Sequence, residues 1–587
     1  YNALTTCTSG ASNTAVGTST ALSVTTGHSN VAIGTESLFI NTTGSANIAV
    51  GKDALRNNST ASNNVGVGQN ALLSNTTGGQ NVAVGTNALD SNTTANNNVA
   101  IGYDCLKTNT TGASNVAIGK DALALNTTAS NNVAVGLSAL VSNTTGGQNT
   151  ALGSSAAASN TTGNRNIAVG YTALFSNTTG DNNTAVGQQT LYYNTGSQNT
   201  AVGRNALVSN TSASNNTAVG YLALEANTTG TQNTALGANA LDANTTANNG
   251  TGIGYNALTA NTTGDDNTGI GKSSLERNTT GIQDTAVGSG ALEFNTTANY
   301  NTAVGCIALG SNTTGAQNSA FGRASLYSNT TGYDNTAVGY NSLYNNTTGY
   351  RNVAIGKDAL GSNTTAALNV AVGYNALGAN TTGNQNVAVG YAAADAVTTA
   401  VETTAVGYLA LSACTGGDSN TGIGRAALTD LTSGAKNTAV GEAAGSSVTT
   451  GVNNLLLGKN AGLSTSPSGT ITTGSDNVCL GDNNILNLFC ADTTISSSDK
   501  RDKTDITDFT HGLDWINQMQ PVTYRWDRRS WYLDNPDGDI TSVTPDGSRK
   551  RQRINLGLLA QDVLEIETAD GYSTDRDSQL IVNQTED

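Results

Sequence analysis

The chain has 587 residues, too many for one ordinary core unless it is repetitive. Charged residues make up only 11%, aromatics 5%, and the formal net charge is −16. An acidic chain with no basic stripe is a poor nucleic-acid binder, and no apolar run approaches the roughly 18 residues of a membrane-spanning helix. The opening "YNALTTCTSG" lacks the basic and apolar regions of a secretion signal. Cys7, Cys105, Cys306 and Cys414 lie far apart at different places in the pattern described next. They read as small apolar fillers, not as a disulfide framework or zinc site, although Cys479 and Cys490 are close enough to pair. No cofactor and no metal are expected.

From Asn13 the chain repeats with a period of 17. "NTAVGYNSLYNNTTGYR" from Asn335, "NVAIGKDALGSNTTAAL" from Asn352 and "NVAVGYNALGANTTGNQ" from Asn369 are three successive units. The register holds to Asn454, apart from a one-residue slip in the unit starting at Asn183. A last unit starts at Asn477, after an insertion containing Pro467, which makes about 28 units.

Within a unit, position 1 is usually Asn and position 3 nearly always Ala or Gly. Position 4 is Val, Ile, Leu or Phe, and position 5 is always Gly. Positions 8 and 9 are commonly Ala-Leu, and positions 12 to 15 read Asn-Thr-Thr-Gly. A glycine at the same place in every unit implies φ > 0 or close backbone approach. "VAVG" is short and β-branched, hence a short strand. Positions 4 and 9 are expected to supply the apolar side chains of each coil. The small residues at position 3 would let faces of neighbouring chains pack closely. Asn at positions 1 and 12 suits turns and amide ladders.

One unit cannot bury a core, but stacked units can, each pairing with the next at about 4.8 Å. The fold class expected is therefore an all-β solenoid, a parallel β-roll about 130 Å long. The absence of proline before Pro467 agrees, since every coil must donate hydrogen bonds to its neighbour.

Two features of the array invite functional readings. Twenty units carry an Asn-x-Ser/Thr sequon at position 12, such as Asn41, Asn92 and Asn346. Turn chemistry explains these more simply than a glycosylated shaft. Position 6 is variable and often Tyr, as in Tyr103, Tyr171, Tyr374, Tyr391 and Tyr408. Outward tyrosines can stack on sugars, or, more plainly, pack on neighbouring coils. Carboxylates are sparse, and no long loop breaks the register to hold a paired acid site.

The "NxAVGxxAL…NTTG" pattern resembles the head repeats of trimeric autotransporter adhesins, the YadA-like β-roll, and repeats of phage tail-fibre proteins. The resemblance covers roughly residues 1–490 and implies a homotrimer of parallel rolls.

After Ser497 the composition changes. All three tryptophans, the only methionine and 11 of the 25 basic residues lie there. "DITDFTHGLDWINQMQ" has Ile506, Phe509, Leu513 and Ile516 at helical spacing. "PVTYRW" alternates as a strand, "DNPDGD" and "TPDGS" are turns, and "INLGLLAQDVLEIE" reads as a strand running into a helix. Residues 498–587 are thus a small α/β domain, joined to the shaft (1–490) through a junction at 491–497.

Three motifs in order, "SDKRDK" (Ser498 to Lys503), "PVTYRW" (Pro521 to Trp526) and "GLLAQDV" (Gly557 to Val563), resemble the C-terminal intramolecular chaperone domain of phage tailspikes and endosialidases. That resemblance implies a domain that trimerises a β-helical shaft and then cuts itself off. It implies Ser498 as nucleophile, Lys503 as base and a scissile bond between Ser497 and Ser498. A serine hydroxyl needs such a base, and the lysine must be neutral to serve. Arg501 would lower its pKa, whereas Asp502, where the family usually has an apolar residue, would raise it. Enzymatic activity is then at most one self-cleavage per chain.

The function so implied is a structural and adhesive trimeric fibre of a phage virion, attaching to a host glycan or protein receptor. A bacterial surface adhesin would need a C-terminal coiled coil and membrane strands. A polysaccharide-degrading tailspike would need clustered carboxylates on the shaft. Tyr1 falls at position 6 of a unit, and "LIVNQTED" precedes the long helix usual in the chaperone family. Both ends are therefore expected to belong to a longer protein, whose N-terminal part would join other virion proteins.

Overall fold

The computed structural model describes residues 2–487 and, beyond them, 518–519, 521–524, 544–548, 552, 555–557 and 560–569. The chain divides into two compact units, Tyr1–Asn487 and Leu488–Asp587.

The first unit is a parallel β-solenoid. Its 28 strands, from β1 (Thr14–Val16) to β28 (Val478–Leu480), are three residues each and form one sheet. Each strand occupies positions 2 to 4 of a unit and pairs in register with the next, as in Val82↔Val99, Ala83↔Ala100 and Val84↔Ile101. The short unit keeps this ladder, with Thr184 opposite Thr200. Its missing residue comes out of the Asn-Thr-Thr-Gly turn, so Asn194 Nδ2 donates to Gly196 O, two residues on instead of three. The insertion bulges out between Leu455 and Val478, which still pair.

The outward and inward rows of the strand are the reverse of the sequence expectation. The alanines of position 3, such as Ala32, Ala83 and Ala100, are fully buried. Position 4 faces outward: Val16 is 58% exposed, Leu152 48% and Phe321 42%. The small residue at position 3 therefore fits inside the coil and not against another chain. The reason is the width of the core. Leu at position 9 fills it, and the Cβ that Gly66 lacks at position 3 would already lie 3.3 Å from Leu55 Cγ. Leu38, Leu55, Leu72 and Leu89 form this row at 0% exposure, each burial stabilising by about 2 kcal/mol.

The remaining turns are shaped for bonding along the rod. Positions 7, 9 and 17 adopt left-handed backbone in nearly every coil, even where the residue is Leu, as with Asn87 (φ 57), Leu89 (φ 52) and Asn97 (φ 63). Each such residue turns its N–H toward a neighbouring coil. Asn87 donates to Gln69 O at 2.9 Å on one side, and Leu89 to Cys105 O at 3.0 Å on the other. The strain of a left-handed leucine is offset by a ladder that repeats at every coil. The glycine of position 5 is required twice over. Gly85 has φ 135, and a Cβ there would collide with the backbone of Gly102 in the next coil.

Buried asparagines hold the coils in register. At position 12, Asn75 Nδ2 donates to Asn58 Oδ1 of the preceding coil at 2.8 Å and to Gly78 O at 2.8 Å. At position 1, Asn64 Oδ1 accepts from the Asn81 N–H at 2.9 Å, while Asn81 Nδ2 donates to Ala95 O at 2.8 Å. Ala95 O also accepts from Asn92 Nδ2, so one carbonyl serves both rows. Only a side chain with an acceptor and two donors can do this.

Of the second unit, an antiparallel pair and one helix are described: β29 (Val522–Tyr524), β30 (Asn555–Gly557) and α1 (Ala560–Ala569). The strand in "PVTYRW" and the strand-then-helix in "INLGLLAQDVLEIE" are present as the sequence implies. The helix expected around Ile506 to Ile516 lies outside the described residues. Among the described residues no helix is long and apolar enough to cross a membrane.

Candidate functional site

Two of the three tail motifs come together. Val522 pairs with Gly557, Thr523 with Leu556 and Tyr524 with Asn555. The second of these strands is followed in the sequence by α1, on which Val563 is 2% exposed. "PVTYRW" and "GLLAQDV", which are far apart in sequence, are therefore neighbouring parts of one small fold. Residues 498–572 match the family model described as chaperone of endosialidase. The match starts at Ser498, the residue at which the motif "SDKRDK" begins. No curated protein matches the chain. Ser497, Ser498 and Lys503 lie outside the described residues, as do Arg501, Asp502 and Cys490.

On the shaft, the rule that decides which side chains meet is simple: residues with the same position number in successive units are in contact. It settles the sequons. Asn41, Asn92 and Asn346 are fully buried, and each Nδ2, the atom a glycan would occupy, already donates to a carbonyl. The folded shaft is incompatible with glycosylation at these sites.

The same rule orders the tyrosines of position 6. Tyr374, Tyr391 and Tyr408 are about half exposed, and their rings stack on one another at 5.1 and 5.3 Å between centroids. Where tyrosines alternate with bases, cations cover the rings: Arg323 over Tyr340 at 5.5 Å, and Lys357 over Tyr374 at 5.4 Å. These faces are spent on neighbouring coils, and the row presents ring edges and hydroxyls to solvent.

Carboxylates that look sparse along the chain also meet. Glu225 and Asp242 share position 10 in adjacent coils, and burial, then the neighbouring Glu225, pushes the Asp242 carboxyl up to about 6. Asp284 replaces Asn at position 1 and is fully buried. Its oxygens accept from the Asn301 N–H at 2.8 Å and from Asn295 Nδ2 at 3.0 Å. Burial still pushes this carboxyl up to about 7, against those hydrogen bonds. Cys105 takes the place of an alanine at position 8, and burial pushes its thiol up to about 12, as suits an inert filler. Among the described residues no cluster of His, Cys, Asp or Glu has the geometry of a metal site.

Proposed function

We propose that the chain is the shaft and assembly module of a trimeric fibre of a phage virion, built for attachment to a host surface. The observation that carries this reading is the pairing of a long solenoid with a C-terminal match to the chaperone of endosialidase family. The outward face of the sheet supports the trimer. Val, Ile, Leu or Phe occupies position 4 on all 28 strands, and Ile33, Ile101, Leu236, Ile355 and Val440 are each more than a third exposed. A continuous apolar stripe of that length far exceeds the few hundred Å² usual on a monomer. Two further copies of the same chain would cover it in register, coil against coil.

In this reading residues 498–587 bring three chains together and then leave. Ser498 Oγ attacks the Ser497 carbonyl while Lys503 takes the hydroxyl proton. The peptide bond passes to an ester, and water hydrolyses it to free the Ser497 carboxylate. The nucleophile is next to its own target, so modest intrinsic reactivity suffices.

Expression of the full chain followed by a denaturing gel and mass measurement tests the cut. The expected result is a fragment starting at Ser498, abolished by Ser498→Ala and by Lys503→Met. A chain that stays whole in the wild type removes the self-cleavage step.

A further inference from the structure

The surface row of position 10 is interrupted at one place by two consecutive glycines. It runs Tyr327, Tyr344, Gly361, Gly378, Asp395 in successive coils. Tyr327 and Tyr344 stack at 5.4 Å between centroids, so one face of Tyr344 is covered by Tyr327. Above Tyr344 the two glycines leave a notch of about 270 Å³, with Tyr344 as its aromatic wall. At the far end Asn375 lies across Gly378, where any Cβ would strike its amide, and Asn375 Nδ2 reaches Asp395 Oδ2 at 3.4 Å. The other Asp395 oxygen is buried without a hydrogen-bond partner.

The polar rim of the notch is only partly engaged: Asp358 pairs with Lys357 at 3.6 Å and Asn375 with Asp395, while no side-chain bond of Asn341 is present among the described residues. At some other coils the amides of position 7 bond coil to coil, as Asn70 to Asn87 and Asn239 to Asn256, both at 3.0 Å. Asn341, Asp358 and Asn375 occupy the same position around the notch and make no such bond among the described residues. An aromatic wall facing amide and carboxylate groups that keep unused donors and acceptors matches the two sides of a sugar: an apolar ring face and a rim of hydroxyls. Lys357 offsets Asp358, which leaves the Asp395 carboxylate to disfavour an anionic ligand.

We propose that this notch binds one uncharged pyranose ring of a surface glycan, stacked on Tyr344 and hydrogen-bonded by Asn341, Asp358 and Asn375. The notch lies on the turn of positions 6 to 11, off the strand face assigned above to the other copies. The proposal deepens the attachment reading and depends on it for biological role, but not for the binding itself.

The test is saturation-transfer NMR on the full chain. The probes are the methyl glycosides of glucose, galactose, mannose and N-acetylglucosamine, with methyl glucuronide as the anionic comparison. At least one neutral glycoside should receive saturation on its ring protons. Tyr344→Ala and Gly361→Tyr should each weaken its binding by at least about tenfold, the weight of one stacking contact. Gly361→Tyr only extends a row of tyrosines that two preceding coils already carry, so its melting should match wild type. No response from any neutral glycoside, unchanged binding in Gly361→Tyr, or preference for the glucuronide would each overturn the proposal. A parallel assay of binding to host cells separates the two ideas. Glycoside binding without cell binding defeats the attachment reading and leaves the notch. Cell binding equal in wild type and Gly361→Tyr, with no glycoside response, does the reverse.

Discussion

Two stretches of the shaft fill the same buried position with opposite chemistry. From Asn41 to Asn380, position 12 is a row of asparagines bonded coil to coil, interrupted only at the short unit, where Asn177 Oδ1 is left without a partner. From there to the end of the shaft the same place is taken by Val397, Cys414, Leu431, Val448 and Ile471, all buried. The backbone does not change, and strands pair identically on both sides, as Val370 with Val387 and Thr421 with Thr438. The carbonyl of position 15 keeps a donor in the apolar stretch, because position 1 still supplies one: Asn437 Nδ2 to Gly451 O at 2.8 Å. The comparison separates two jobs. Backbone ladders and the Leu row build the coil, whereas the second amide row fixes its register. Buried amides tolerate no slip, since a misaligned coil would leave them unpaired. An apolar row packs without that demand.

If the two stretches share one backbone, the largest effect must be the same in both. Gly220→Ala and Gly424→Ala each force a side chain into φ near 140 and against the next coil's backbone. Each should cost more than about 3 kcal/mol, seen as local loss of hydrogen-exchange protection. A large difference between them would break the comparison.

Next comes the amide row itself. Asn227→Leu strands Asn210 Oδ1 and one donor of Asn244, and should cost about 2–4 kcal/mol in protection of the flanking coils. Replacing Asn210, Asn227 and Asn244 together leaves only the two ends of the block unpaired. The cost per substitution should therefore fall. Equal cost per residue would mean that the row acts by volume alone.

The smallest effect concerns position 1. Asp284→Asn restores a donor toward Ala298 O and should stabilise its coils on the order of 1 kcal/mol at neutral pH. The folded pKa of Asp284 lies above its ordinary value, so the stability it contributes is full below pH 3.8 and lost as pH rises through about 7. The Asn variant should lose less stability than wild type in thermal unfolding across that window, the remainder belonging to groups such as Asp242, which is also raised to about 6.

Much of the shaft is legible in the sequence because stacking repeats every constraint. The period, the strand at positions 2 to 4, the obligatory glycine and the amide ladders follow from residue types alone. The inner and outer faces of the strand do not. Alternation over three residues is symmetric, and only the depth taken by Leu at position 9 decides that Ala83 faces in and Val84 out. The left-handed leucines are hidden because local preference argues against them, and neighbouring coils override it. The notch has a signal that was readable, namely a missing side chain at position 10 in two consecutive units. It becomes visible once equal position numbers are understood as contacts. The roles given to Ser498 and Lys503 rest on motif likeness and on the family match from Ser498 onward.

In the proposed trimer, three shafts share the apolar strand face. Native mass measurement of the processed shaft tests it most directly. The expected value is three copies of the 1–497 piece, falling to one copy when Val202, Val219 and Leu236 on successive strands, and their equivalents along the stripe, are changed to lysine. A wild-type shaft that runs as a single copy at micromolar concentration, with its position 4 stripe in water, would contradict the account.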